Sequence, residues 1–301
     1  TFPQRYTTWI ALATALNLGK VKMQADLLGT FAIEKVRNNV KSPDKSELSP
    51  AFFIGYQPFS RHDLNLRAFY KRIFRLPTFN DLYYTQIGYS QLKPEYTNQI
   101  NVGATYAKRF KNSVIDQVSM QVDAYYAFIT DKIIAAPTGS SFRWMMTNMG
   151  KVENKGIDVS ASVSGHAGPV QLNSRLSYSY TKAQDFTKIG GHKLSSYGDQ
   201  IPYTPWHSGS VIAGATYRSW ALNYSFIYVG ERYDGAVNNI AYNHVQPWYT
   251  HDASLQKEFR FGDIRFKASV EANNIFNQYY DVVLNYPMPG RNFRFVFTLN
   301  I

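Results

Sequence analysis

The sequence predicts an all-β fold, a transmembrane antiparallel β-barrel with about thirteen strands visible in this chain. Three observations predict it. Apolar and polar residues alternate with period two along most of the chain, as in 157–164, where Ile157, Val159, Ala161 and Val163 oppose Asp158, Ser160, Ser162 and Ser164. Connections between the alternating stretches are short and long in strict turn. The polar faces carry charge (Asp123, Arg175, Lys267 and Glu271), which suits a wet lumen better than a packed core.

The elements follow in order. Strands are expected near 5–16 and 21–35, joined by "NLGK", and near 48–57 and 63–75, joined by "FSRHD". The next are near 96–110 and 117–132 around "KNSVI", then 143–165 and 170–182 around "HAGP". Strands near 208–217 and 220–231 flank "RS", and those near 250–260 and 264–276 flank "FGD". The last is 291–301, where Phe293, Phe295, Phe297, Leu299 and Ile301 alternate with Arg294, Val296, Thr298 and Asn300. Long loops are expected at 36–47, 76–95, 133–142, 183–207, 232–249 and 277–290. A soluble β-sandwich has no reason to gather every long loop at one end, whereas outer-membrane barrels have short periplasmic turns and longer extracellular loops. The final strand then runs inward to a periplasmic C-terminus, and the first also runs from outside to inside. Thirteen is odd where single-chain bacterial barrels are even, so the chain reads as the C-terminal portion of a larger barrel.

Composition narrows the class. The chain of 301 residues is 45% hydrophobic and 18% charged, with 23 Tyr and 20 Phe, which excludes a disordered chain. Cysteine is absent, which removes disulfides and thiolate metal or redox sites. No run approaches the roughly 18 apolar residues of a membrane helix; "WIALATAL" is much too short. The net charge of +11 favours anions, such as lipopolysaccharide head groups or an anionic ligand. No basic cluster sits on a nucleic-acid module, so no nucleic-acid partner is expected.

Three segments carry a family resemblance. They are "RIFRLPTFNDLYY" followed by "LKPEYTNQINVGATY", then "TNMGKVENKGIDVSASV", then "VEANNIFNQYYDVVLNYPMPGRNFRFVFTLNI". In this order and spacing they resemble the TonB-dependent outer-membrane receptors. The resemblance implies a 22-stranded barrel of which residues 1–301 are the C-terminal portion, with the plug domain and about nine strands lying outside this chain. Those would come from the N-terminal part of the same receptor, either because the chain is a fragment or because the receptor was nicked in an extracellular loop. It further implies coupling to the TonB complex through the plug, and a terminal strand of Phe293, Phe295, Phe297 and Ile301 read by the barrel-assembly machinery. Relatives usually end in an aromatic residue, where this chain has Ile301. Implied too is active uptake of a scarce ligand of metal-chelate, haem or cobalamin type. "NYPMPGRNF" leans towards siderophore and cobalamin receptors and away from glycan importers, which pair with a surface lipoprotein.

No enzyme and no cofactor are expected. The histidines His62, His166, His192, His207, His244 and His251 are scattered without metal spacing and read as turn or loop residues. There is no Gly-x-Ser-x-Gly elbow and no P-loop. A passive porin, or a barrel hydrolase with a Ser/His site built across strands, is the competing function. Arg75, Leu76, Pro77, Asn80, Leu82 and Tyr83 match the family's loop motif, and either order the loop where it leaves the strand or line a ligand mouth. Pro77 ends the ladder by removing a donor, and Arg75 is placed to pair with Glu95. Gly150, Gly156 and Gly290 read as close approaches or bends. Ligand contacts are expected in the long loops: Phe142, Arg143, Trp144, Met145 and Met146 in one, Arg232, Tyr233 and Asp234 in another, with Trp206 and Trp248 beside prolines.

Overall fold

The structure is a computed structural model that describes residues 2–60, 63–111, 113–137, 144–189, 191–262 and 264–300. Thirteen long strands form one antiparallel sheet. They are β1 (Phe2–Leu18), β2 (Val21–Arg37), β3 (Lys45–Tyr56), β4 (Asp63–Arg75) and β5 (Glu95–Arg109). Next come β6 (Ile115–Pro137), β7 (Trp144–Ala167), β8 (Val170–Asp185) and β9 (His207–Tyr217). The sheet ends with β10 (Trp220–Val229), β11 (Trp248–Phe261), β12 (Ile264–Asn273) and β13 (Asn292–Asn300). Each strand pairs only with its neighbours in the chain, from β1 at one edge to β13 at the other. Among the described residues the two helices are five and four residues long, and none is long and apolar enough to cross a membrane.

Tight turns fix the register at one rim. Gly19, Gly168 and Gly262 have φ near +60°, at the first central position of a two-residue hairpin loop where glycine is free of the Cβ penalty. Arg218 occupies the equivalent place in the β9–β10 turn at φ 52°. The long connections all emerge at the opposite rim, as the alternation of lengths requires.

Register separates two faces along the whole sheet. Phe293, Phe295, Phe297 and Leu299 are 58–68% exposed, and they share their face with Val270, Leu255, Leu222 and Ile157. The other face carries the cross-strand ion pairs. Arg5 pairs with Glu34 between β1 and β2, and Arg294 with Glu271 at 2.6 Å between β12 and β13. Hydrocarbon tolerates the first face and excludes the second, so the apolar face is the lipid face and the charged one lines the lumen.

Arg67 on β4 and Asp123 on β6 pair at 2.5 Å across the intervening strand β5. The residue between them in register is Gly103, and a Cβ there would lie 3.0 Å from the Asp123 Cγ and 3.1 Å from the Arg67 Nε. Asp123 also stands directly opposite Asp158 on β7. Like charges in that position repel, and Arg67 reaching over the glycine relieves the repulsion. The close-approach reading of the other glycines fits the geometry: a Cβ on Gly156 would sit 2.5 Å from the Tyr125 hydroxyl, and one on Gly150 2.7 Å from Thr187.

Two expectations need correction. The loop expected at 133–142 is strand up to Pro137, because β6 and β7 continue their ladder as a hairpin of 23 and 24 residues. A tilted crossing uses only about 9–11 residues, so roughly half of this hairpin projects beyond the membrane. Trp144, Met145 and Met146 are therefore strand residues paired with Pro137, Ala136 and Ala135. The second correction concerns histidines. His166, His207 and His251 lie in β7, β9 and β11. His207 and His251 each share a hydrogen bond with a tyrosine on the adjacent strand, Tyr178 at 2.8 Å and Tyr224 at 2.6 Å. Aromatic neighbours hold them in the sheet, and no turn chemistry is involved. His62 and Ile301 lie outside the described residues.

Candidate ligand-binding mouth

The projecting β6–β7 hairpin is a wall against which loops 76–94 and 186–206 pack directly. Loop 76–94 docks on one side of it. Thr78 caps the helix Phe79–Tyr83: its hydroxyl accepts from the Asp81 N–H at 3.1 Å, and the Asp81 carboxylate accepts from the Thr78 N–H at 2.8 Å. Leu82 and Leu92, 1% and 2% exposed, pack against Ile133 of the hairpin. The Met146 N–H donates to the Ile87 carbonyl at 2.7 Å. Asn148 completes the seam, accepting from the Lys93 N–H at 2.9 Å and donating to the carbonyls of Lys93 and Asp131.

The base of this loop holds the expected pair. Arg75 lies 3.3 Å from Glu95 and 3.4 Å from Asp81. Pro77 is buried, and its carbonyl accepts from Arg5 at 2.7 Å. The Asn80 carbonyl accepts from the Tyr84 N–H at 3.2 Å, ending the helix. The Tyr83 hydroxyl accepts from the Ser42 N–H at 3.4 Å, and burial pushes that phenol up. Leu76 is half-buried. Pro77, Leu82 and Tyr83 thus make contacts within and beneath this loop. Replacing Leu82 with alanine should cost about 3 kcal/mol of loop docking. Hydrogen exchange at the amides of 79–92 reads it, and unchanged protection there would contradict the packing role.

Three more loops interlock on the other side of the wall. At the end of β8 the buried Asp185 carboxylate accepts from the Thr187 N–H at 2.9 Å, from the Thr187 hydroxyl, and from the Ser196 hydroxyl at 2.5 Å. Gln200 and Asn238 join loop 186–206 to loop 230–247: the Asn238 Oδ1 accepts from the Gln200 N–H at 2.6 Å. The Tyr203 N–H donates to the Tyr233 carbonyl at 2.8 Å, and the Tyr203 hydroxyl accepts from Leu284 N–H of loop 274–291 at 3.4 Å. The Tyr203 ring stacks on Trp144 of the wall, with centroids 6.2 Å apart. Trp248 stacks on Tyr280 at 4.5 Å in the same manner. Burial raises the Tyr203 phenol and the Asp234 carboxyl and lowers Arg232.

Trp144 and Tyr233 thus meet at the mouth through Tyr203, which sequence reasoning did not single out. Its only local signal is the unusual φ of 54°, which a sequence does not display. Arg232 corrects an expectation: it is 4% exposed, and its guanidinium donates to the Asp281 carbonyl at 3.0 Å. It braces two loops and does not face solvent. Met145 is exposed on the wall, and Phe142 and Arg143 lie outside the described residues. Among the described residues no three His, Asp or Glu side chains are grouped to hold a metal ion.

The family model for the β-barrel described as TonB dependent receptor-like matches residues 20–275. The chain belongs to that family. TonB-dependent receptor barrels reside in the outer membrane of Gram-negative bacteria, and the family's members are receptors and transporters. Among curated relatives, the vitamin B12 transporter BtuB of Vibrio vulnificus (strain YJ016) is 35% identical over 88 residues, 29% of this chain and 13% of that protein. Among solved structures, the FrpB iron transporter from Neisseria meningitidis (F3-3 variant) superposes with a TM-score of 0.69 at 18% identity, covering 98% of this chain and 45% of that one. The ferric citrate transporter FecA in its unliganded form gives a TM-score of 0.71 at 14% identity, with 98% and 45% covered. These likenesses establish the fold of this TonB-dependent barrel, which spans less than half the length of those structures.

Proposed function

We propose that the receptor to which this barrel portion belongs takes up a scarce ligand, of metal-chelate, haem or cobalamin type, by TonB-coupled active transport. The observation that carries the proposal is the mouth itself. Loops from separate hairpins are locked to one another and to the β6–β7 wall, which preorganises an aromatic rim of Trp144, Tyr203 and Tyr233. A passive pore gains nothing from such a rim. In this reading residues 1–301 are the C-terminal portion of the barrel, the plug and first strands come from the N-terminal part of the receptor, and the C-terminus is periplasmic. The barrel-assembly machinery would read β13, and the plug would present the coupling segment to TonB after a ligand-driven population shift.

The test expresses the full-length receptor in cells lacking their own uptake systems and measures import of cyanocobalamin and of ferric siderophores. Saturable import abolished by a protonophore is the expected result. Unsaturable conductance in a planar bilayer would indicate a porin instead, and turnover lost on replacing one Ser or His a hydrolase. Trp144→Ala should weaken ligand binding about tenfold or more, the size of an aromatic hot spot. Equal affinity for the wild type and this variant, measured by titration calorimetry, would remove Trp144 from the site.

A further inference from the structure

Lys155 on β7 and Lys182 on β8 are register partners. Both face the lipid side, since Ile157 and Tyr180 lie two residues further along the same face. Lys151 lies four residues further up that face, two repeats of the pleat, with Glu153 at the intervening position. Direct opposition of like charges across two strands is unfavourable unless an anion is shared between them. Among the described residues none of these lysines forms an ion pair, and Glu153, which lies between Lys151 and Lys155 along β7, bridges to neither. Aromatic rings support the ammonium groups instead: Lys151 lies 5.1 Å from the Phe128 centroid and Lys182 4.8 Å from that of Trp206.

Height along the strand identifies the partner. Lys155 and Lys182 stand about twelve residues above the turn at Gly168, or roughly 40 Å along the strand at about 3.3 Å per residue. A tilt near 45° turns this into about 28 Å of height, close to the outer edge of the hydrocarbon. Below them the same face is apolar or aromatic apart from Ser174, with Ile157, Val163, Leu172, Leu176 and Tyr178 exposed. Lysines at that depth lay their stems on the apolar band and raise their charge to the head groups.

We propose that Lys151, Lys155 and Lys182 form a lipid-side site for the phosphate groups of lipopolysaccharide in the outer leaflet. It rests on the orientation given above, with the long loops outside. Protease cleavage of loop 186–206 on whole cells tests that orientation separately.

The site is tested by native mass spectrometry of the full-length receptor in detergent, titrated with bis-phosphorylated lipid A, its dephosphorylated form, phosphatidylglycerol and inorganic phosphate. The wild type should retain the phosphorylated lipid A in preference to the other three. K155Q or K182Q should each lower that retention about fivefold, while Lys→Arg at either position should keep it. Lys22→Gln, at the other rim, should leave it unchanged. Resistance to SDS before heating verifies folding, and the comparison of lipids on the wild type stands even where a variant fails to fold. Equal retention of the two lipid A forms, preference for phosphatidylglycerol, full displacement by inorganic phosphate, or no effect of K155Q and K182Q would each overturn the proposal.

Discussion

Replacing Asp185 with alanine is expected to release residues 186–199 from the end of β8. The carboxylate is 1% exposed and accepts three hydrogen bonds, from two hydroxyls and one N–H, all from residues that are themselves buried. Hydrogen bonds to a charged group contribute about 1.5–3 kcal/mol each, and donors left buried without a partner add to the loss. Removal should lower the local opening free energy by about 3 kcal/mol, which raises the open population more than a hundredfold. Hydrogen exchange at Gly198, whose N–H donates to the Asp185 carbonyl at 2.6 Å, reports this opening directly. Asp185→Asn keeps the shape but replaces one acceptor with a donor, and should fall between. Unaltered exchange at Gly198 in the alanine variant would show that the loop is held elsewhere, at Gln200 and Asn238.

Gly103→Val should have the second large effect, inside the lumen. The new side chain occupies the gap through which Arg67 reaches Asp123, and the displaced carboxylate is left facing Asp158. The Asp123 side chain is 13% exposed and that of Arg67 35%, so solvent screens part of the loss. About 2 kcal/mol is expected, read as a shift of the urea midpoint for loss of the SDS-resistant form. A companion variant tests the cause. Asp123→Ser clears the space and removes the repulsion, so Gly103→Val should cost much less in that background. If the two losses simply add, the glycine serves backbone geometry and not the ion pair.

Strand positions were legible because lipid enforces alternation wherever a strand crosses it. β4 was expected over 63–75 and runs from Asp63 to Arg75. The pairing of Arg75 with Glu95 was also legible, since the two residues close opposite ends of one loop on paired strands. The projecting hairpin was not: above the membrane Ile133, Ile134 and Ala135 no longer alternate with polar residues, and the ladder persists through packing against Leu82 and Leu92. The locks of the mouth were hidden for a different reason. Arg232 binds the backbone carbonyl of a residue 49 positions away, and a carbonyl carries no residue type for a sequence to display. A conspicuous Arg-Tyr-Asp run looked like ligand chemistry when its arginine is a brace.

The strict neighbour-to-neighbour order of the sheet has an arithmetic consequence. Because side chains alternate with a period of two, parity is a conserved quantity carried along each strand. One residue inserted in the middle of β8 would turn everything above it over, sending Lys182 into the lumen and Ala183 into lipid, whereas two inserted residues would leave both on their own sides. The chain contains its own repair of such an odd step: between Ile115 and Gln117 the register of β6 against β7 shifts by one residue, and the residue between them is left over. Even steps are therefore absorbed by the rims, and odd ones survive only where a bulge cancels them.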